Sequence, residues 1–219
     1  MTAKQPVLHT YFRSSAAHRV RIALNLKGIE AQHEYVHLNR DGGQQFSAAF
    51  RAKHPQALVP VYSEGGMDLG QSLAIIEYLE EHHPEPPLLP AEPAARARAR
   101  QIALGIACDI HPLNNLRVLK YLGATLGLND NQKNAWVRHW ITLGLLALEQ
   151  QLAGLPTTGR CCVGDTPTLA DCCLVPQWFS AERFGVDVSA LPTLKRITDH
   201  CNSLPEFAAA HPARQPDAE

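Results

Sequence analysis

The chain has 219 residues, 45% of them hydrophobic and 19% charged, with a formal net charge of −1. That length supports one or two domains with a substantial core, and the balance offers neither the basic excess of a nucleic-acid binder nor a long charge run. No stretch of about 20 apolar residues is available to span a bilayer, and Met1-Thr2-Ala3-Lys4-Gln5-Pro6 lacks an apolar signal segment. A cytoplasmic protein with no nucleic-acid or membrane partner is expected.

In chain order, 7–11 reads as a strand. Apolar Val20, Ala23, Leu24 and Leu26 recur at helical spacing over 15–27, with Gly28 as the C-terminal stop. Residues 33–38 read as a second strand and 44–52 as a short helix. A hairpin follows over 59–63 and 67–69, turning at Gly65-Gly66. A third helix covers 71–82 and is stopped by Pro84. The order β-α-β-α-β-β-α describes a thioredoxin-like α/β layer. The proline-dense run 85–92 cannot continue a helix and marks a boundary between residues 1–84 and 93–219. Beyond it the pattern is helical: 94–122, kinked near Pro112; 132–152, with Trp136, Trp140, Leu143, Leu146 and Ala147 along one face; 168–184; and 191–203. Thr168-Leu169-Ala170-Asp171 has the form of a capping box, a structural role for Asp171.

Cys108, Cys161, Cys162, Cys172, Cys173 and Cys201 contain no Cys-x-x-Cys, and four of the six sit in adjacent pairs. They read as reduced core thiols, with no metal site expected. The sharpest local signal is Gln71-Ser72, which opens a helix after the hairpin. There the first turn leaves N–H groups unpaired and the dipole is positive, a setting that binds carboxylates. Leu58-Val59-Pro60 opens a strand just upstream. It reads either as an ordinary trans proline at a sheet edge or as a cis bond, which occurs at about 5–6% of X–Pro positions. Ser14 and Ser15, between first strand and first helix, read either as N-caps or as donors to an anion. Gln45 is equally an exposed helix residue or a ligand contact. His111, Asn114, Asn115 and Arg117 cluster at the Pro112 kink, as a polar solvent stripe or as a wall of a site.

Taken together, Tyr11-Phe12-Arg13-Ser14-Ser15, Arg19-Val20-Arg21-Ile22-Ala23-Leu24, Gln44-Gln45-Phe46, Leu58-Val59-Pro60, Gln71-Ser72-Leu73-Ala74-Ile75-Ile76-Glu77-Tyr78-Leu79-Glu80, Asn114-Asn115-Leu116, Gly164-Asp165, Thr168-Leu169-Ala170-Asp171, Leu174-Val175-Pro176-Gln177 and Arg214-Gln215-Pro216-Asp217 resemble the zeta-class glutathione transferases, the maleylacetoacetate and maleylpyruvate isomerases. The resemblance spans almost the whole chain. It implies the glutathione transferase fold: a thioredoxin-like α/β N-terminal domain plus an all-α C-terminal domain, in a homodimer. It implies glutathione as cofactor and a small dicarboxylate as substrate. It assigns Ser14, assisted by Ser15 and Arg13, to the thiolate. Backbone groups of Val59 at a cis bond take the cysteinyl part, Gln71 and Ser72 the γ-glutamyl end and Gln45 the glycyl end. His111, Asn115 and Arg117 face glutathione or substrate, His111 standing where many relatives carry Gln. Arg13, Arg19 and Arg183 are the cations for substrate carboxylates, with Arg117 also available. Arg21 could as easily pair with an acidic residue in the domain interface. The family's usual Ser-Ser-Cys-Ser is Ser14-Ser15-Ala16-Ala17 here, so side reactions that use that cysteine, such as dehalogenation of small haloacids, are not expected. The alternatives are a general transferase that conjugates electrophiles at an apolar acceptor site, and a non-enzymatic dimer that binds partners.

Overall fold

The computed structural model describes residues 5–219. The chain runs β1 (Val7–Thr10), α1 (Ser15–Leu26), β2 (Gln32–Tyr35), α2 (Ala48–Lys53), β3 (Val61–Glu64), β4 (Met67–Gly70), α3 (Ser72–His82), α4 (Pro93–Leu104), α5 (Leu116–Ala124), α6 (Asp130–Ala153), α7 (Leu169–Arg183), α8 (Pro192–Asn202) and α9 (Pro205–Ala210). It divides into two units, residues 5–88 with 204–219, and Leu89–Ser203.

The first unit is built on a four-stranded sheet in the order β2-β1-β3-β4. β1 lies parallel to β2, with Val7 opposite Gln32, and antiparallel to β3, with Val7 opposite Ser63. β3 and β4 form the expected hairpin, with Val61 opposite Gly70. Its two-residue turn has both glycines at positive φ, 58° at Gly65 and 88° at Gly66, which a tight hairpin turn of the right hand requires. The central strands bury Leu8, Val61 and Tyr62 completely. Gly28, at φ 64° after the α1 C-cap, ends that helix as read from the sequence. The expected helix over 44–52 is a 3-10 turn at Gln44–Phe46 followed by α2, because Ser47 leaves helical geometry to cap α2 through the Phe50 N–H.

The C-terminal 16 residues depart from the expected 93–219 domain: they belong to the first unit. α9 lies on α1, where Arg21 Nε donates to the Ala210 carbonyl at 3.2 Å and Asn25 Nδ2 to the Glu206 carbonyl at 2.8 Å. α9 has six residues, too few for a periodic apolar pattern to announce it.

The second unit is all-helical. The expected 94–122 helix is interrupted: α4 passes into a π-helical turn, Gly105–Ile110, and a 3-10 turn, His111–Asn114, before α5 begins. Pro112 lacks the N–H that would continue the ladder. In α6 the sequence reading chose the wrong face. Val137, Ile141, Leu145, Leu148 and Leu152 are buried, while Leu143 and Leu146 are 55% and 38% exposed. The helix is apolar on several sides, so periodicity alone does not select the inward one. Gly144 does, since a Cβ there would lie 2.4 Å from Ile110. α7 is the core helix, buried over most of its length and entered through the Thr168–Asp171 capping box. Asp171 accepts from the Thr168 N–H at 2.8 Å, the Thr168 hydroxyl at 2.9 Å and the Cys162 N–H at 2.8 Å. Burial pushes its carboxyl pKa up, and these bonds only partly offset that by favouring the ionised form. Cys161, Cys162, Cys172, Cys173 and Cys201 are buried thiols around it, and Cys108 is exposed.

Candidate active site

In the first unit β1 ends at Thr10, and the next four residues carry the chain to the start of α1. This connection is held from beneath. Arg21 is 2% exposed, and its guanidinium donates to the Thr10 hydroxyl at 3.0 Å and to the carbonyls of Tyr11 and Phe12 at 3.4 and 3.1 Å. The Phe12 N–H donates to Asp217 Oδ2 at 2.9 Å. Burial pulls the Arg21 pKa down to about 10, with Asp217 acting in the opposite direction, so the group stays charged at neutral pH. The expectation of a partner in the domain interface gives way to this clamp inside one unit.

Ser14 follows on that rigid support. It is the α1 N-cap, its Oγ accepting from the Ala17 N–H at 3.2 Å. A hydroxyl that accepts still has its proton to donate, so the cap and the anion-donor readings are compatible. No acidic residue sits in the first turn of α1, which leaves the positive end of its dipole for an incoming anion. Ser15 is the first helical residue and half-buried. Arg13 is exposed, its guanidinium 4.9 Å from the Phe12 ring centroid.

The start of α3 is the second anion-ready end. Gln71 occupies the N-cap position at φ 66° with no side-chain cap bond, and no acidic residue lies in the first turn. Its amide nitrogen instead donates to Gln56 Oε1 at 3.3 Å. Ser72, the first helical residue, accepts a hydrogen bond from Arg19 Nη1 at 3.2 Å. Arg19 is therefore not the substrate-facing cation expected. It is 2% exposed and lies behind Ser72, because it falls one turn after Ser15 on the side of α1 that packs against α3.

Val59-Pro60 is cis, as is Glu85-Pro86. Val59 lies just before β3, and among the described residues neither its N–H nor its C=O makes a hydrogen bond within the chain. Gln45 is 4% exposed rather than free on a helix. One of its amide protons goes to the Leu38 carbonyl at 3.3 Å, and its Oε1 is buried without a partner.

In the second unit, His111 opens the 3-10 turn after the π-helical segment and is half-buried. Asn115 caps α5, accepting from the Arg117 N–H at 3.1 Å, so its carbonyl oxygen is committed and its NH₂ remains as donor. The Arg117 side chain is exposed. Arg183 ends α7, exposed, with its guanidinium 4.3 Å from the Phe184 ring centroid. The residues missed as site components are Asp217 and the Arg21 clamp. Asp217 is 205 residues from Phe12, and no local signal connects them.

Comparison with known proteins places these features in context. Residues 8–87 match the model of the glutathione S-transferase N-terminal domain and 143–205 that of the C-terminal domain. A probable maleylacetoacetate isomerase of Vibrio cholerae is 51% identical over 212 residues, covering 97% of this chain and 98% of the relative. The holo structure of a maleylpyruvate isomerase, described as a bacterial zeta-class glutathione S-transferase, superposes with a TM-score of 0.94 at 47% identity, covering 97% of this chain and 100% of that one. A maleylacetoacetate isomerase of Methylobacterium extorquens AM1, solved with malonate and glutathione bound, superposes at 0.93 with 45% identity, covering 97% and 99%.

Proposed function

This chain belongs to the zeta-class glutathione transferases, and from that premise we propose that it is a glutathione-dependent cis–trans isomerase acting on maleylacetoacetate or maleylpyruvate in aromatic catabolism. One observation carries the reading. Two helix N-termini of the first unit, those of α1 and α3, have no carboxylate in the first turn and are tied together by the Arg19–Ser72 hydrogen bond. Each opens with a serine hydroxyl, so the pair offers one end for a thiolate and one for a carboxylate of the same small peptide.

The residues fit glutathione. The Ser14 hydroxyl donates to its sulfur while the α1 terminus lowers the thiol pKa, with Ser15 as the adjacent donor. The unpaired N–H and C=O of Val59 take the cysteinyl backbone like an added strand. The N–H groups and hydroxyl at Gln71-Ser72 take the γ-glutamyl carboxylate. Gln45, with one amide proton already on Leu38, has a second for the glycyl end. Bound glutathione supplies a thiolate whose reversible addition turns the cis double bond into a single bond that can rotate. The chain has to hold the two substrate carboxylates while this happens. Exposed Arg13 and Arg183 are the groups for that, guanidinium matching carboxylate in two-pronged geometry. His111, Asn115 through its NH₂ and Arg117 supply further donors. The dicarboxylate malonate bound with glutathione in the Methylobacterium relative supports a dicarboxylate substrate.

The protein acts as a homodimer. In the second unit α4 and its neighbours line a groove of about 850 Å³ that includes Pro93, Arg96, Ala97, Arg100 and Leu104, and Leu104 is 48% exposed. A second copy is read as its cover, and light scattering giving a monomer mass at micromolar concentration would refute this. No helix among the described residues is long and apolar enough to cross a membrane. The six cysteines form no disulfide among the described residues, which suits the reducing cytoplasm.

The test of function is isomerisation of both maleyl substrates with and without glutathione. Turnover of at least one, absolute in its need for glutathione and without net consumption of it, is expected. Stoichiometric loss of glutathione into a stable conjugate would instead identify a general transferase.

A further inference from the structure

We propose that His37 is a positioning residue for the glycyl end of glutathione: its ring holds the 37–45 loop in the shape that aims Gln45, and so sets this protein's preference for thiols that carry the glycyl carboxylate. The inference rests on the glutathione reading above and assigns part of it to a residue that touches neither cofactor nor substrate.

The loop follows β2 and has little regular structure of its own. Its 3-10 turn, Arg40–Gly42, has Asn39 at the N-cap position, and Asn39 makes no side-chain cap bond. The chain then passes through Asp41, Gly42 and Gly43 at positive φ, where glycine's conformational freedom makes order costly. The cap comes from His37. Its Nδ1 accepts from the N–H groups of Asn39 at 3.2 Å and Arg40 at 2.8 Å, a task usually left to a serine or asparagine side chain. A ring nitrogen that accepts carries no proton, so the neutral ring has its proton on Nε2 and donates it to Glu219 Oε1 at 3.2 Å. Glu219 also pairs with Arg40. The main chain of His37 closes the far side of the loop: its N–H donates to Gln44 Oε1 and its carbonyl accepts the Gln44 N–H, both at 2.9 Å.

The consequence falls on the next residue. Gln45 is 4% exposed, and its amide donates to the Leu38 carbonyl of the same loop at 3.3 Å. Gly43 lies so close that a Cβ there would stand 2.8 Å from the Gln45 amide nitrogen. The shape of the loop therefore aims the amide, and the His37 ring fixes that shape. The ring also packs edge-on against Tyr11, with centroids 5.0 Å apart, and the Tyr11 carbonyl accepts the Ser14 N–H at 3.0 Å. The glycyl subsite is thereby referenced to the support that carries Ser14.

The experiment uses the full-length protein and two thiols: glutathione, and γ-glutamylcysteine ethylamide, in which a methyl group replaces the glycyl carboxylate. Dissociation constants are measured by calorimetry for the native protein and for His37→Ala, His37→Phe and His37→Asn. The native protein should prefer glutathione. In His37→Ala the preference should shrink about tenfold, part of the value of a charge-assisted hydrogen bond, through weaker glutathione binding with the ethylamide unchanged. His37→Phe keeps a ring against Tyr11 but has no acceptor, and should behave like His37→Ala. His37→Asn puts an amide oxygen near the place of Nδ1 and should restore most of the preference. A merely structural His37 predicts that both thiols weaken together as stability falls. That result overturns the inference, as does an unchanged preference in folded His37→Ala or His37→Phe, or a His37→Asn protein no more selective than those two. Should neither His37→Ala nor His37→Phe fold, His37→Asn decides alone: a preference equal to native supports the inference, and a lower one overturns it. Equal binding of the two thiols by the native protein overturns the inference while leaving the glutathione reading in place, whereas absence of binding to either overturns the functional reading itself.

Discussion

Asp217 is the residue whose removal tests the architecture of the site most directly. Its Oδ2 accepts the Phe12 N–H at 2.9 Å, its Oδ1 is buried without a hydrogen-bond partner among the described residues, and its charge acts to keep Arg21 protonated. Asp217→Ala removes a charge-assisted bond worth about 1.5–3 kcal/mol and leaves a donor on Phe12, itself 4% exposed, without its acceptor. It also withdraws the carboxylate facing a buried guanidinium, while relief of the unpaired Oδ1 works the other way. The net loss is about 2–4 kcal/mol. For a chain of 219 residues, each kcal/mol moves Tm by roughly 2–4 °C. Thermal unfolding should therefore occur about 4–16 °C lower than in the native protein. Asp217→Asn, which keeps an acceptor oxygen, should lose less than half as much. The loop anchored by this bond leads straight into Ser14, so turnover at a temperature where both proteins are folded should fall as well. Differential scanning calorimetry with a parallel isomerase assay reads both effects. An Asp217→Ala protein that melts within about 1 °C of native would show that the C-terminal carboxylate does not hold the loop, and the clamp would reduce to Arg21 alone.

Ser14→Ala should lower turnover more than glutathione affinity; the loss should stay below the roughly 10²–10³ seen on removing an oxyanion-hole donor, because the helix end and Ser15 remain. Unchanged kcat would move the role to Ser15 or to backbone donors. Arg183→Ala should raise KM for a maleyl substrate by about one order of magnitude or more while glutathione affinity holds, and a selective loss of glutathione binding would put Arg183 on the wrong half of the site. Stability should also fall in acid. Burial lowers the pKa of His18 well below 6.5 and lowers those of His9, His33 and His54 as well, so below about pH 6.5 the unfolded chain binds protons that the native one refuses. The slope is up to about 1.4 kcal/mol per pH unit for each such histidine. Denaturant unfolding at pH 7 and pH 5 should show the loss, reduced in His18→Gln, and equal stability at the two values would contradict it.

The parts of this fold legible in the sequence are those encoded locally. Gly65-Gly66 specifies a turn, Thr168 and Asp171 sit at capping-box spacing, and Pro112 removes a ladder donor; each appears in the structure as read. The parts not legible are set by partners far along the chain. Which face of α6 turns inward depends on Ile110 fitting against Gly144, not on α6 itself. The attachment of residues 204–219 to the first unit depends on Arg21 finding the Ala210 carbonyl. Among candidate site residues, Ser14, Val59 and Ser72 stand out in the sequence because each sits where a strand or helix begins. Arg19 was recognised as a carboxylate-type cation but misplaced, since nothing in its neighbours reveals whether an arginine on α1 points to solvent or to α3.

Arg19 and Arg21 show how one helix organises both ends of the site. Residues two apart on a helix are separated by about 200° around its axis, so two arginines at that spacing cannot share a face. In α1 they do not: Arg19 reaches α3 at Ser72, while Arg21 reaches back to the loop of Tyr11 and Phe12 and across to α9. Between them, Val20 and Ile22 are fully buried apolar anchors that fix the rotation of the helix, and with it the aim of both guanidinium groups. A small rotation of α1 would move Ser72 and the Ser14 loop out of register together. The two anion-ready termini are thus set relative to each other by one rigid body rather than by separate loops. That arrangement is what a peptide cofactor with a thiolate at one point and a carboxylate at another requires, because its affinity depends on the spacing between the two subsites as much as on either alone.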